Sequence, residues 1–260
     1  MSERWLLPPL WFDLCWEIGG FGEHPFPLAV RSHGETRDER SALRQRAEPE
    51  MAAAGLLVPA GLNPRFADLL SRIANPGLWI EGLYLVDDVT DSPCRLLSVA
   101  TEDGALLIVQ QPGESGFRGG DLRITTHPRT SVGAAAIQGL PPAPPGERPR
   151  LAVPLADLER PEPAAAEDAA EPTVEREKTP VEELRAFTEV DHYRDGQFTA
   201  NLRDRSGRTH RSSVLKWFDV AEPDGRYGLV RTGRELVLSG LNAQDLVRAL
   251  QDRVAEVRSG

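Results

Sequence analysis

The chain has 260 residues, with 30 Lys and Arg against 40 Asp and Glu, a formal charge of −10. That length suffices for one large domain or two modest ones, and the acidic balance argues against generic affinity for nucleic acid or an anionic membrane. Two cysteines, Cys15 and Cys94, form no CxxC pair, which argues against a disulfide framework or structural zinc and fits a reducing cytoplasm.

The N-terminal run MSERWLLPPLWFDLCW is apolar but broken by Pro8-Pro9 and stopped by Asp13. It is too short and interrupted for a signal segment, and no stretch approaches the length of a bilayer span. A soluble, cytoplasmic chain without membrane insertion is the expectation. Leu10, Trp11, Leu14 and Cys15 suit a short helix from Pro9 to Trp16, ended by Gly19-Gly20. HPFPLAVRSHG (24–34) reads as an edge strand or a packed arm, because proline removes ladder donors. Thr36 and Glu39 form a T-x-x-E capping box that predicts a helix from about Arg37 toward Ala54, irregular at Pro49. Asn63-Pro64 opens another, with Phe66, Leu69, Leu70 and Ile73 on its apolar face.

Strands are expected around Leu78 to Val86, Leu96 to Val99, Leu106 to Val109 and Leu122 to Ile124. A short helix then runs from Thr130 or Ser131 through Ile137. Residues 141–180 are dominated by Pro, Ala and Glu, with little apolar bulk to offset ordering entropy. They read as a largely flexible linker, interrupted by LAVPLADL (151–158) as a docked strand. From Gln197 to Val257 a short antiparallel sheet is expected. Its turns fall at Ser206-Gly207 and Asp224-Gly225, and an amphipathic helix capped by Asn242 closes it.

Residues 95–139 and 197–257 share one order of elements: strand, turn, strand, loop, strand, helix. The fold class is therefore α+β, a mixed and mainly antiparallel sheet with flanking helices and pseudo-twofold halves. The division is an N-terminal half (1–140), the linker (141–180) and a C-terminal sheet-plus-helix half (181–260).

The inventory of reactive side chains supports no enzyme class. GESGFRGG (113–120) lacks the lysine and hydroxyl of a phosphate loop and reads as a hairpin tip. The five histidines show no metal-ligand spacing. The pairs Asp191/Asp195 and Asp219/Asp224 read as acidic turn residues. RDRSGRTHR (203–211) is the strongest basic signal, either a grip for an acidic partner or a solvated hairpin edge.

Three blocks together resemble the EspG family of ESX (type VII) secretion-associated chaperones of actinobacteria. They are FDLCWEIGGFGEHPFPLAVRSHGETRDER (12–40), AAAGLLVPAGLNPRFADLLSRIANP (52–76) and FTANLRDRSGRTHRSSVLKWFDVAEPDGRYGLVR (198–231). They cover about half the chain in matching order. The departure is the middle, where the family carries further helices and this chain has the Pro/Ala/Glu-rich stretch, leaving 179–190 as the remaining helix.

The resemblance implies a cytoplasmic chaperone, with no cofactor, that binds the helical tip of the PPE-type subunit in a PE–PPE heterodimer. It would reach the type VII secretion machinery only indirectly. On that reading Arg203, Arg205, Arg208 and Arg211 form a charged rim, and Trp217 and Tyr227 are aromatic anchors or core residues. An apolar patch without cargo would allow weak self-association. The alternative is a non-enzymatic basic-hairpin scaffold or regulator that binds an acidic protein or nucleic acid.

Overall fold

The computed structural model describes residues 3–87, 91–160, 178–220 and 224–259. A short strand, β1 (Arg4–Leu7), leads into helices α1 (Pro9–Gly19) and α2 (Arg37–Ala53). A small ribbon of β2 (Leu57–Val58) and β3 (Gly61–Leu62) and helix α3 (Pro64–Ala74) follow. The chain then meanders through β4 (Leu78–Tyr84), β5 (Cys94–Thr101), β6 (Gly104–Gln110) and β7 (Leu122–Pro128), and closes with α4 (Val132–Ile137). A second pass begins with β8 (Leu151–Pro154), α5 (Leu155–Leu158) and α6 (Pro180–Thr188). Strands β9 (His192–Arg203), β10 (Thr209–Arg211), β11 (Leu215–Val220), β12 (Arg226–Thr232) and β13 (Glu235–Gly240) come next, and α7 (Ala243–Ser259) ends it.

The local signals act where the sequence places them. In the capping box at α2 the Thr36 hydroxyl accepts from the Glu39 N–H at 3.2 Å, and the Glu39 carboxylate accepts from the Thr36 N–H at 3.2 Å. Thr179 and Glu182 repeat that exchange at α6. Asn63, Ser131 and Asn242 cap α3, α4 and α7 through their side-chain oxygens. Residues 24–34 form no strand and run as an arm. The buried Gln110 amide bridges both backbone groups of Ala29, at 2.8 and 3.2 Å, in place of a sheet partner.

All described strands outside the β2–β3 ribbon form one 11-stranded sheet, ordered β1-β7-β6-β5-β4-β9-β11-β12-β13-β8, with β10 beside β9. Every pairing in that sheet is antiparallel. The two meanders meet at β4 and β9, in register from Leu78↔Leu202 to Tyr84↔Gly196, with Glu81↔Thr199 at the middle. A pseudo-twofold axis passes through that central pair, and each edge strand, β1 or β8, precedes its own meander in the chain. The pseudo-twofold seen in the order of elements is thus real, and each repeat reaches back to include its edge strand and helices.

Side-chain alternation sorts the core onto two faces. On the first face α1, α2 and α3 cover β5–β7 around Phe12, Trp16, Phe66, Leu70 and Ile108. On that same face α6 covers the far half, where Phe187 packs edge-on against Tyr227 at 4.9 Å. On the second face α4 and α7 lie across the middle, burying Ile80, Phe198, Trp217, Leu246 and Leu250. The helices cross closely because Gly133 has no side chain; a Cβ there would fall 3.2 Å from the Leu250 Cβ.

The segment expected as a linker divides. Residues 141–158 are fixed to the sheet: the Gly146 N–H donates to the Arg226 carbonyl at 2.8 Å, and β8 pairs with β13 from Leu151↔Leu238 to Pro154↔Glu235. The second pass therefore starts near residue 151. Residues 161–177, on which the expectation of flexibility mainly falls, lie outside the described residues.

Candidate partner-binding groove

In the middle of the first face, between the helical layers, the sheet is most exposed at Gln197 and Lys216, beside half-buried Leu83. Between the α1–α3 layer and the α6 layer, the side chains of β4, β9 and β11 on that face fall in successive rows, beginning with Asp195 and Phe218. Leu83, Gln197 and Lys216 pair across the next row, then Glu81 and Thr199, then Trp79 and Asn201. Apart from Trp79 and Phe218, none of these joins a hydrophobic core cluster. At the Leu83 end the floor deepens into a hollow of about 260 Å³, walled by Pro93, Asp195 and Phe218.

The floor is polar, and its side chains pair mainly with one another. Trp79 donates its indole N–H to Glu81 at 2.9 Å, and the Arg211 guanidinium lies 3.2 Å from the other Glu81 oxygen. Arg211 also donates to the Thr199 hydroxyl at 3.0 Å. Glu81, only 7% exposed, thus keeps its charge compensated from the hairpin. The Arg203 guanidinium stacks 5.7 Å from the Trp79 ring, a cation–π contact at the groove's other end.

The hairpin that carries the four arginines is built on Asp204. Its carboxylate accepts the Ser206 N–H at 2.8 Å, the Ser206 hydroxyl at 2.6 Å and the Arg208 N–H at 3.0 Å, while its second oxygen meets His210 at 2.8 Å. The hydrogen bonds from the Ser206 hydroxyl, then from His210, hold this carboxyl well below the usual carboxylate range. Gly207, at φ 86°, supplies the left-handed residue that the turn requires. Arg203, Arg205, Arg208 and Arg211 are all exposed, so the hairpin presents four guanidiniums against one aspartate. The structure thus brings these four residues together at one mouth of the groove.

Trp217 and Tyr227 are placed otherwise. Both are fully buried and present no surface to a partner. Trp217 points to the second face beneath α7, with the Arg226 guanidinium 4.5 Å above its ring. Tyr227 lies under α6; its hydroxyl donates to Asp224 at 2.5 Å and accepts the Arg148 N–H at 2.9 Å. Strand periodicity identifies them as sheet residues but cannot say which face is covered, so the reading as anchors is corrected to core.

Asp219 is not a turn residue either. It sits in β11, fully buried, gripped by Arg226 at 2.6 and 2.7 Å and approached by Arg194 at 3.2 Å. Arg226 also donates to the Pro141 carbonyl at 3.0 Å, which ties the start of the crossover to the sheet. Glu81 and Lys216 escaped sequence reasoning because their importance comes from register across strands distant in the chain. Among the described residues no helix is long and apolar enough to cross a membrane, and no cluster of His, Cys, Asp and Glu could hold a metal ion.

No curated protein matches the chain. Its fold is similar to a chain in the structure of the Mycobacterium tuberculosis type VII secretion system chaperone EspG5 in complex with PE25-PPE41 dimer. The TM-score is 0.64 at 13% identity, covering 98% of this chain and 97% of that one. At that identity the likeness is one of fold. The family model described as EspG family matches residues 8–252, from the start of α1 into α7 and across both passes of the sheet, and the chain belongs to that family.

Proposed function

We propose that this EspG-family chain is a cytoplasmic, non-enzymatic ESX chaperone that receives the helical end of a PE–PPE-type heterodimer in the open groove of the first face. The observation that carries the reading is the open end of the strip along β4, β9 and β11, where exposed Gln197 and Lys216 and half-buried Leu83 line a hollow of about 260 Å³. The structurally similar chaperone forms a complex with such a dimer, PE25-PPE41.

The groove suits a helical tip for physical reasons. Leu83 and Phe218 offer apolar contact at one end, where Gln197 and Lys216 add hydrogen bonds and one cation, and the arginine hairpin rims the other end. Covering an apolar tip removes from water a surface through which the cargo would otherwise aggregate. The rim sets approach and register more than tightness, because exposed charges act mainly on the association rate and on wrong partners. Release requires no nucleotide on this reading; competition at the secretion machine suffices.

The test is co-expression with each PE–PPE-like pair of the same host, followed by size-exclusion chromatography with light scattering. A defined heterotrimer is expected, with the cargo pair soluble only in its presence. Alanine at Arg203, Arg205, Arg208 and Arg211 together should slow association and flatten its salt dependence. Separate elution with every pair would sink the reading. Unchanged association kinetics in the quadruple variant would remove the arginines from it.

A further inference from the structure

The two passes of the sheet differ sharply at one connection. Between β12 and β13 the chain turns through residues 233–234, whereas at the twofold-related place between β6 and β7 it runs through 111–121. The added chain is held in place. The Gly119 N–H donates to the Ala29 carbonyl at 2.9 Å, and the Gly120 N–H to the Gln111 carbonyl at 2.8 Å. The Ser92 hydroxyl accepts the Gly113 N–H at 3.0 Å and donates to the Ser115 carbonyl at 3.1 Å. Arg95 donates to the carbonyls of Pro93 and Gly116.

Ser92 and Arg95 are 2% and 4% exposed, so two buried polar side chains are committed to bracing a surface turn. Arg95 makes no ion pair with a carboxylate among the described residues; its guanidinium is occupied by those carbonyls. At the crown of the turn Phe117 stands 93% exposed. An aromatic ring kept in water on a braced turn has the form of an interface anchor, since little conformational freedom remains to be lost on contact.

Its position identifies the partner. Arg95 shares a row with Leu83, in the groove floor, and Pro93 is both groove wall and acceptor for Arg95. The turn therefore rises beside the Leu83 end of the groove, at the opposite mouth from the arginine hairpin. We infer that Phe117 is a second anchor for the helical partner of the groove, entering an apolar recess on that partner's flank beyond its tip. This rests on the groove reading and adds to it a hydrophobic contact outside the groove.

The test is a titration of the intact chain against the PE–PPE-like pair it co-purifies with, comparing wild type, Phe117→Ala and Phe117→Leu. The ring is exposed, so both variants should melt with the wild type. Phe117→Ala should weaken affinity on the order of 30-fold, mostly through faster dissociation and equally at high salt, with Phe117→Leu recovering most of the loss. A wild-type complex with Phe117→Ala affinity within about twofold overturns the inference and leaves the groove standing. Loss of self-association in Phe117→Ala with an unchanged complex also overturns it, and assigns the turn to a second copy of the chain. If wild type binds no pair, the groove reading falls and the inference falls with it.

Discussion

The two passes of the sheet share a topology but are stabilised by different means. The first buries Phe12, Trp16, Met51, Phe66 and Leu70 beneath three helices, an apolar core whose strength is removed water. The second has only α5 and α6 among its described residues on that face, and its interior holds fixed charge. Asp219 lies between Arg226 and Arg194, and Tyr227 is bound to Asp224 and the Arg148 backbone. The Asp219 ion network projects to the second face, beside Trp217, whereas Tyr227 faces α6 on the first, so the two faces of this pass are held by different means. On the first face the thinner cover of the second pass coincides with the exposed Gln197 and Lys216 beside half-buried Leu83.

That contrast can be broken most directly at Asp219. Asp219→Ala strands two buried guanidiniums and should destabilise the chain by about 3–5 kcal/mol, read as a fall in denaturant midpoint with an unchanged slope. A loss below about 1 kcal/mol would mean that the charges are solvated and the second pass is not organised by them. A smaller effect should be symmetric. Thr36→Ala and Thr179→Ala each remove a capping box, one in each pass, and each should cost about 1 kcal/mol. Unequal costs would show that one of the two helices is fastened mainly by tertiary contacts.

The smallest effect concerns pH. His24, against Phe12 and Trp16, and His192, against Phe187 and Phe218, have pKa values lowered by burial, which the nearby carboxylates of Asp13, and of Asp195 and Asp191, offset only in part. A base whose folded pKa lies below its unfolded value of 6.5 contributes stability present above that value and lost as pH falls toward the folded pKa. His24→Phe and His192→Phe should each shallow the acid side of a stability–pH curve measured below pH 6.5, one pass at a time. Curves that stay parallel to wild type would assign the acid loss to other groups.

Much of the frame was legible because its signals are local. Thr36 with Glu39, Asn63 with Pro64, and Asn242 each mark a helix start within four residues. Alternation at Leu96 to Val109 is enough to mark strands. What stayed hidden depends on register between distant segments. Asp219 meets Arg226 only once β11 and β12 align, and Glu81 meets Arg211 across more than a hundred residues. Leu151–Pro154 reads as a docked strand within a linker-like composition, but that it docks on the edge of β13 does not follow from the sequence. That Trp217 and Tyr227 point to opposite faces follows from strand parity and pairing, but which helices cover each face does not.

The outer strands carry a further consequence. Among the described residues the sheet ends in two rim strands of four residues each, β1 and β8. Pro8-Pro9 follows the first directly, and Pro154 ends the second. Proline has no N–H to offer, so neither rim can template a long incoming strand. Growth by strand addition is blocked at both ends, which keeps a protein with an exposed sheet surface from polymerising through its borders. Anything that docks must come down onto the face.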